Sequence, residues 1–188
     1  MKVVAVRRRR NSRCELLNIH PITRDEVPAL LALIRALAAY EKKPHKVVAT
    51  EADLLRDLFG PQPKFRALIA EWNGKPAGYA SFFNFYSTYE GRAALFLEDL
   101  FVLEEFRGHG IGKSLLAAVA KLALEEGCFG LRWEVLDWNR AAIEFYEKLG
   151  ATFLNERKAV SFDEDALHRV AADVLPQRQR GTKKFKSS

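Results

Sequence analysis

The chain has 188 residues, 48% of them hydrophobic and 29% charged, which is enough to bury one core and too apolar for a disordered protein. No apolar run reaches the ~20 residues of a membrane span, and Cys14 and Cys128 form neither a CxxC pair nor a metal-ligand cluster, so membrane and disulfide-framework classes are excluded and a cytoplasmic protein is expected. The formal charge of +6 sits at the ends: Lys2, Arg7, Arg8, Arg9, Arg10 and Arg13 near the start, and Arg178, Arg180, Lys183, Lys184 and Lys186 near the finish, leaving −5 for the residues between.

Residues 1–14 and 176–188 are therefore expected as disordered, solvated basic tails around one domain over 15–175. Neither tail interleaves aromatic residues with its bases, so nucleic acid is expected at most as a weak, salt-sensitive contact. Val3-Val4-Ala5-Val6 is too short for a secretory signal. The acidic interior points to a cationic ligand.

In chain order, Leu16 to His20 reads as a first short strand. Thr23-Arg24-Asp25-Glu26 has the form of a capping box, and the stripe Val27, Leu30, Leu31, Ile34, Leu37, Ala38 predicts a helix behind it, ending near Tyr40 and Glu41. Thr50-Glu51-Ala52-Asp53 opens a second helix that stops before Gly60-Pro61. Strands are predicted over Phe65–Trp72 and Ala77–Phe85. They are joined by Asn73-Gly74, the dipeptide of a type I′ turn. Leu95 to Leu103 is the next strand. A glycine-rich loop leads from it into a helix striped by Leu115, Leu116, Val119, Leu122 and Ala123 and closed by Gly127. Leu131 to Leu136 reads as a strand, and Asn139 caps a helix running to Gly150. A strand pair around Phe153 and Val160 and a short helix near Ala166 complete the expected elements. The alternation of strands and helices predicts an α/β protein with a mixed, mostly antiparallel sheet flanked by helices.

The sharpest local signal is Arg107-Gly108-His109-Gly110-Ile111-Gly112-Lys113, between an apolar strand and an amphipathic helix. Glycines let a backbone approach an anion, and the first amides of a helix have no intrahelical partner, so this turn suits a pyrophosphate. Arg107 and Lys113 add cationic donors at its rim. The spacing is neither the dinucleotide fingerprint nor a P-loop. Arg107-x-x-Gly110-x-Gly112 resembles the Arg/Gln-x-x-Gly-x-Gly/Ala signature of the GNAT acetyltransferases. The surrounding segments Leu37-Ala38-Ala39-Tyr40-Glu41, Phe96-Leu97-Glu98-Asp99-Leu100-Phe101-Val102, Asp137-Trp138-Asn139, Ala142, Phe145-Tyr146 and Leu149-Gly150-Ala151 resemble its spermidine/spermine (diamine) branch over about residues 16–165.

The resemblance implies the acyl-coenzyme A fold, a sheet splayed where the coenzyme enters, acetyl-coenzyme A as cosubstrate, no metal and a homodimer. Read from the residues alone, Glu98 is either a base on an apolar strand face shared with Phe96, Leu100 and Val102, or a structural carboxylate paired with an arginine. Tyr146 is either a core tyrosine or an acid. The resemblance makes Glu98 the base, acting through an ordered water, and Tyr146 the group at the coenzyme sulfur. It also puts the backbone of Leu100, Phe101 and Val102, opened by a local bulge, at the acetyl carbonyl and pantetheine. Residues 107–113 lie at the pyrophosphate, and Asn139 and Ala142 along the pantetheine. Tyr40, Glu41, Asp99, Arg132, Trp133 and Glu134 fall around the amine. Asp99 is expected on the face opposite Glu98, and His109 is read as a solvent-facing spacer. Histidines at 20, 45, 109 and 168 suggest no metal site.

Arg132 is awkward for a polycation, and Tyr86-Ser87-Thr88-Tyr89-Glu90-Gly91 departs from the polyamine enzymes in length and residues. The expected activity is direct acetyl transfer to a primary amine of a small molecule: a diamine, a polyamine or a lysine-like amine. A protein or peptide acetyltransferase with the basic tails as docking arms is the alternative. A non-catalytic acyl-coenzyme A binding module would have no use for both Glu98 and Tyr146.

Overall fold

The structure is a computed structural model that describes residues 4–10, 13–154, 156 and 158–174. The expected C-terminal tail, 176–188, lies outside them. Two compact units divide the chain, one up to Leu136 and one from Asp137.

The first unit is a six-stranded sheet whose strands lie in sequence order: β1 (Val4–Arg10), β2 (Arg13–Pro21), β3 (Arg66–Trp72), β4 (Lys75–Ser87), β5 (Arg92–Val102) and β6 (Leu131–Trp133). Neighbours pair antiparallel except β5 and β6, which are parallel. The helices are α1 (Val27–Tyr40), α2 (Glu51–Phe59) and α3 (Ile111–Glu125).

Local signals place these elements. Glu26 Oε2 accepts from the Thr23 amide at 2.8 Å and from its hydroxyl at 2.6 Å, one 3₁₀ turn ahead of α1. Thr50 and Asp53 repeat the arrangement at α2, with the Asp53 amide donating back to Thr50 Oγ1 at 3.2 Å. Asn73 and Gly74 both have positive φ, 52° and 76°, as a type I′ hairpin between β3 and β4 requires.

Three expectations change. Residues 4–10, read as part of a disordered extension, form β1: backbone pairing with the β2 edge supplies hydrogen bonds that composition does not reveal. The strand predicted to run to Leu136 ends at Trp133. In the second unit, the residues described around Phe153 and Val160 form no strand. Val160 and Phe162 are exposed there, and a strand without a neighbour cannot close its hydrogen bonds. That unit contains α4 (Arg140–Lys148) and α5 (Glu164–Val174).

Two sheet faces are covered. Ala67, Ile69, Tyr79 and Phe101 pack beneath α1 and α2 with Val27, Leu30, Leu31, Leu54 and Leu58. At the start of α3, a Cβ built on Gly112 would stand 3.7 Å from Val102 Cγ2, which puts α3 on the other face.

Candidate active site

The coenzyme loop follows β5. A 3₁₀ turn over Glu104–Phe106 leads to Gly108 and Gly110, at φ 79° and 76°, and α3 begins at Ile111. Gly110 is the N-cap and brings no side-chain oxygen. The first closed helical turn is Ser114 N to Gly110 O at 3.1 Å, so no acceptor among the described residues meets the amides of Ile111, Gly112 and Lys113. Uncapped amides, the positive end of the helix dipole and an exposed Lys113 make an anion cradle that fits a diphosphate.

Two loop side chains are placed differently from expectation. Arg107 Nε donates to Val102 O at 3.0 Å, and its guanidinium lies 4.7 Å from the centre of the Tyr40 ring and 5.9 Å from that of Phe101. The loop is thereby tied to the end of β5 and to the end of α1. His109 is not a solvent-facing spacer. It is half-buried, with its ring 4.9 Å from Trp72 and Nδ1 at 3.0 Å from Arg107 O. Trp72 lies in β3, so only the folded sheet brings them together.

The acidic part of the site is created by a change of register. Phe82 pairs with Leu97 but Ser81 with Asp99, which leaves Glu98 as the extra residue of a β-bulge in β5. The bulge overturns the face predicted by simple alternation. Leu97, Leu100 and Val102 now oppose Phe82, Ala80 and Gly78 on one side. Phe96, Asp99 and Phe101 oppose Phe83, Ser81 and Tyr79 on the other. The Phe83–Phe96 rings at 5.3 Å and the Ser81 hydroxyl donating to Asp99 Oδ2 at 2.8 Å mark that second side. At the same point the sheet opens: β6 pairs with β5 only from Leu95 to Leu97, so among the described residues no strand pairs with Leu100, Phe101 and Val102 on the β6 side.

The electrostatics around the bulge are one-signed. Asp99 is held above its ordinary value by burial, against the lowering influence of the Ser81 and Tyr79 hydroxyls. Glu98 is exposed, yet the protein around it, and then the Asp99 and Glu134 carboxylates, push it up as well. Tyr79 is wholly buried, and its hydroxyl closes no hydrogen bond among the described residues. Burial raises its phenol strongly, with Asp99, Glu41 and Glu98 adding to the effect. No arginine or lysine forms an ion pair with Glu41, Glu98, Asp99 or Glu134 among the described residues. The alternative of Glu98 as half of a structural arginine pair therefore has no support.

Tyr40 and Glu41 end α1, both half-buried, with the Tyr40 ring 6.4 Å from Phe101. Arg132 and Trp133 lie half-buried in β6, and Glu134 is exposed just after it. In the second unit, Asn139 Oδ1 accepts from the Ala142 amide at 3.2 Å and caps α4. Tyr146 is buried on that helix, and burial raises its phenol.

A cluster missed by counting histidines alone joins β2 to β3. His20 Nε2 stands 3.4 Å from Glu26 Oε1 and 3.6 Å from Glu71 Oε2, and His20 Nδ1 lies 3.0 Å from Pro21 O. It fastens the turn into α1.

Residues 30–151 match the acetyltransferase (GNAT) family. A thialysine N-epsilon-acetyltransferase from Bos taurus is 39% identical over 153 residues, covering 76% of this chain and 89% of that protein. The Homo sapiens spermidine/spermine N(1)-acetyltransferase-like protein 1 is 36% identical over 140 residues, covering 71% of this chain and 20% of that protein. An L-ornithine N5-acetyltransferase from Arabidopsis thaliana is 29% identical over 194 residues, covering 79% and 85%. Among solved structures, an integron cassette protein from V. cholerae superposes with a TM-score of 0.71 at 24% identity, covering 82% of this chain and 97% of that one.

Proposed function

The chain belongs to the GNAT family of acetyltransferases, and on that premise we propose that it acetylates a primary amine of a small molecule of the lysine-like or diamine class, the class its relatives' names describe. The observation that carries this reading is the group of carboxylates at the β5 bulge: besides burial, Asp99 and Glu134 raise the proton affinity of Glu98, and among the described residues no arginine or lysine forms an ion pair with any of the three. A cationic substrate would relieve that repulsion.

Amine acetylation has a protonation problem. An alkylamine with a pKa of about 10.4 is neutral in only about 1 molecule in 2,500 at pH 7. Glu98 is the base for that proton, and its raised affinity makes it a better acceptor than an ordinary carboxylate. The backbone of Leu100, Phe101 and Val102, without a β6 neighbour, offers donors to the acetyl carbonyl and pantetheine. The amides of residues 108–113 hold the diphosphate, and Asn139 and Ala142 line the pantetheine. Tyr40, Glu41, Asp99 and Trp133 surround the amine. Tyr146, kept protonated by burial, is the donor for the thiolate. Acetyl-coenzyme A supplies the activated acetyl thioester. The same reading has the enzyme act as a cytoplasmic homodimer without a metal, and no described helix is long and apolar enough to cross a membrane.

The test is thioester consumption over a panel of diamines, basic amino acids and lysine peptides. Turnover of small amines above that of peptides is expected; turnover of peptides alone would overturn the reading.

A further inference from the structure

We propose that His20, Glu26 and Glu71 form a binding site for one zinc ion, a structural site that ties the entry of α1 to the β2–β3 pair. The acetyl transfer does not pass through it, so the reaction without a metal described above is unaffected.

Three elements bring the donors together. His20 stands at the end of β2, Glu26 closes the 3₁₀ turn ahead of α1, and Glu71 lies in β3, where the register sets it opposite Asn18 and sets His20 opposite Ile69. His20 Nε2 is 3.4 Å from Glu26 Oε1 and 3.6 Å from Glu71 Oε2, and all three donor atoms lie within 4.8 Å of one another. The three side chains are only 15%, 23% and 26% exposed, so this is not an open acidic surface. Among the described residues no lysine or arginine forms an ion pair with Glu26 or Glu71.

The hydrogen bonding of the ring decides what fits there. Pro21 O can only accept, so His20 Nδ1 carries a proton and donates it at 3.0 Å. In the neutral ring Nε2 is then a lone pair facing two carboxylate oxygens, three acceptors with no donor between them. An imidazolium would close the gap with N–H···O bonds of about 2.7–2.9 Å. Both separations are longer than that. They match the edge of a tetrahedron, about 3.3–3.6 Å when its centre is about 2.0–2.2 Å from nitrogen and oxygen ligands, as in zinc sites.

Each donor is also held from behind. The Pro21 carbonyl fixes the ring. Glu26 uses Oε2 for the Thr23 amide and hydroxyl, which leaves Oε1 towards the ring. Glu71 Oε2 accepts from Asn18 Nδ2 at 3.1 Å. Outer partners of this kind orient metal ligands and raise their basicity. One imidazole nitrogen with two carboxylates suits Zn2+ rather than Mg2+ or Ca2+, which take oxygen sets. The two carboxylates balance its charge, and water takes the fourth position. Counting histidines misses such a site because two of its three ligands are glutamates from other elements.

The test uses the full-length, tag-free chain stripped with EDTA. Dialysis against about 10 μM Zn2+ should load one ion per chain. Zn2+ at about 100 times its Kd should raise Tm by about 5–10 °C, and Mg2+ or Ca2+ at the same concentration should not. His20→Gln and Glu71→Gln should each weaken zinc binding by about tenfold or more, at least the loss an outer-shell partner brings. In the wild type, NMR of labelled histidine rings should show zinc moving the His20 signals and leaving those of His45, His109 and His168 in place. Failure to load, or equal stabilisation by Mg2+, would overturn the proposal and leave His20 as an imidazolium between two carboxylates. Zinc that binds without moving the His20 ring signals would also overturn it, whether or not either variant folds. None of these readouts uses acetyl transfer, so the acetyltransferase reading is judged separately.

Discussion

The two glycines that flank the start of α3 should respond to alanine in opposite directions. Gly110 has φ 76°, a region that costs an L-residue about 1–2 kcal/mol. Gly112 is helical, and a Cβ there would meet Val102 Cγ2 at 3.7 Å, an ordinary van der Waals contact. Alanine at 112 therefore adds no clash and removes a glycine from the first turn of α3, a gain of up to about 1 kcal/mol. In a chain of 188 residues, 1 kcal/mol moves Tm by about 2–4 °C. Gly112→Ala should melt about 2 °C higher than wild type and keep its acetyl-coenzyme A KM within about threefold, since the amide of residue 112 stays where it is. Gly110→Ala should melt about 2–8 °C lower and raise that KM about tenfold, because the strain is relieved by turning the peptides that form the anion cradle. The assays are thermal unfolding without ligand and steady-state kinetics with varied acetyl-coenzyme A. A tenfold KM increase in Gly112→Ala, or an unaltered Gly110→Ala, would refute the placement of the diphosphate on these amides.

Glu98→Gln should lose most activity at neutral pH, where the amine arrives protonated, and the deficit should shrink towards pH 10 as the free amine supplies itself; a deficit constant across pH would remove Glu98 as the base. Asp99→Asn tests the acidic group through stability. The folded carboxyl binds its proton more tightly than the unfolded one, so native protein is lost in stability as pH rises through the interval above the ordinary value of 3.8, and the penalty persists at pH 7. Asp99→Asn should therefore melt above wild type at pH 7 and level with it below that value. Equal melting at both would show that Asp99 is already compensated.

Much of this was legible because it is local. The capping boxes at Thr23 and Thr50, the Asn73-Gly74 turn and the loop from Arg107 to Lys113 each need only a few adjacent residues to dictate their backbone. The arginine-rich run of β1 carries no such pattern, and its partner is supplied by the β2 edge. Arg107 on Tyr40, His109 on Trp72 and Arg132 between Phe85 and Phe129 are contacts across long stretches of chain, and only an explicit fold brings them together.

The decisive miss was at Glu98. Period-two alternation joins it to Leu100 and Val102, yet the register with β4 is set by where Ser81 and Phe82 fall, and nothing in β5 announces that they straddle one extra residue. That residue shifts every side chain after it to the other face. Asp99 thereby comes to Ser81, Tyr79 and the side covered by α1, while Glu98 is left at the fork where β5 and β6 part. Without the bulge, Asp99 would lie on the face of Leu97, the α3 side, and Glu98 on the opposite one, so the carboxylates would be divided between two faces. The acidic group follows from the register slip, and the same slip frees the strand backbone beside it.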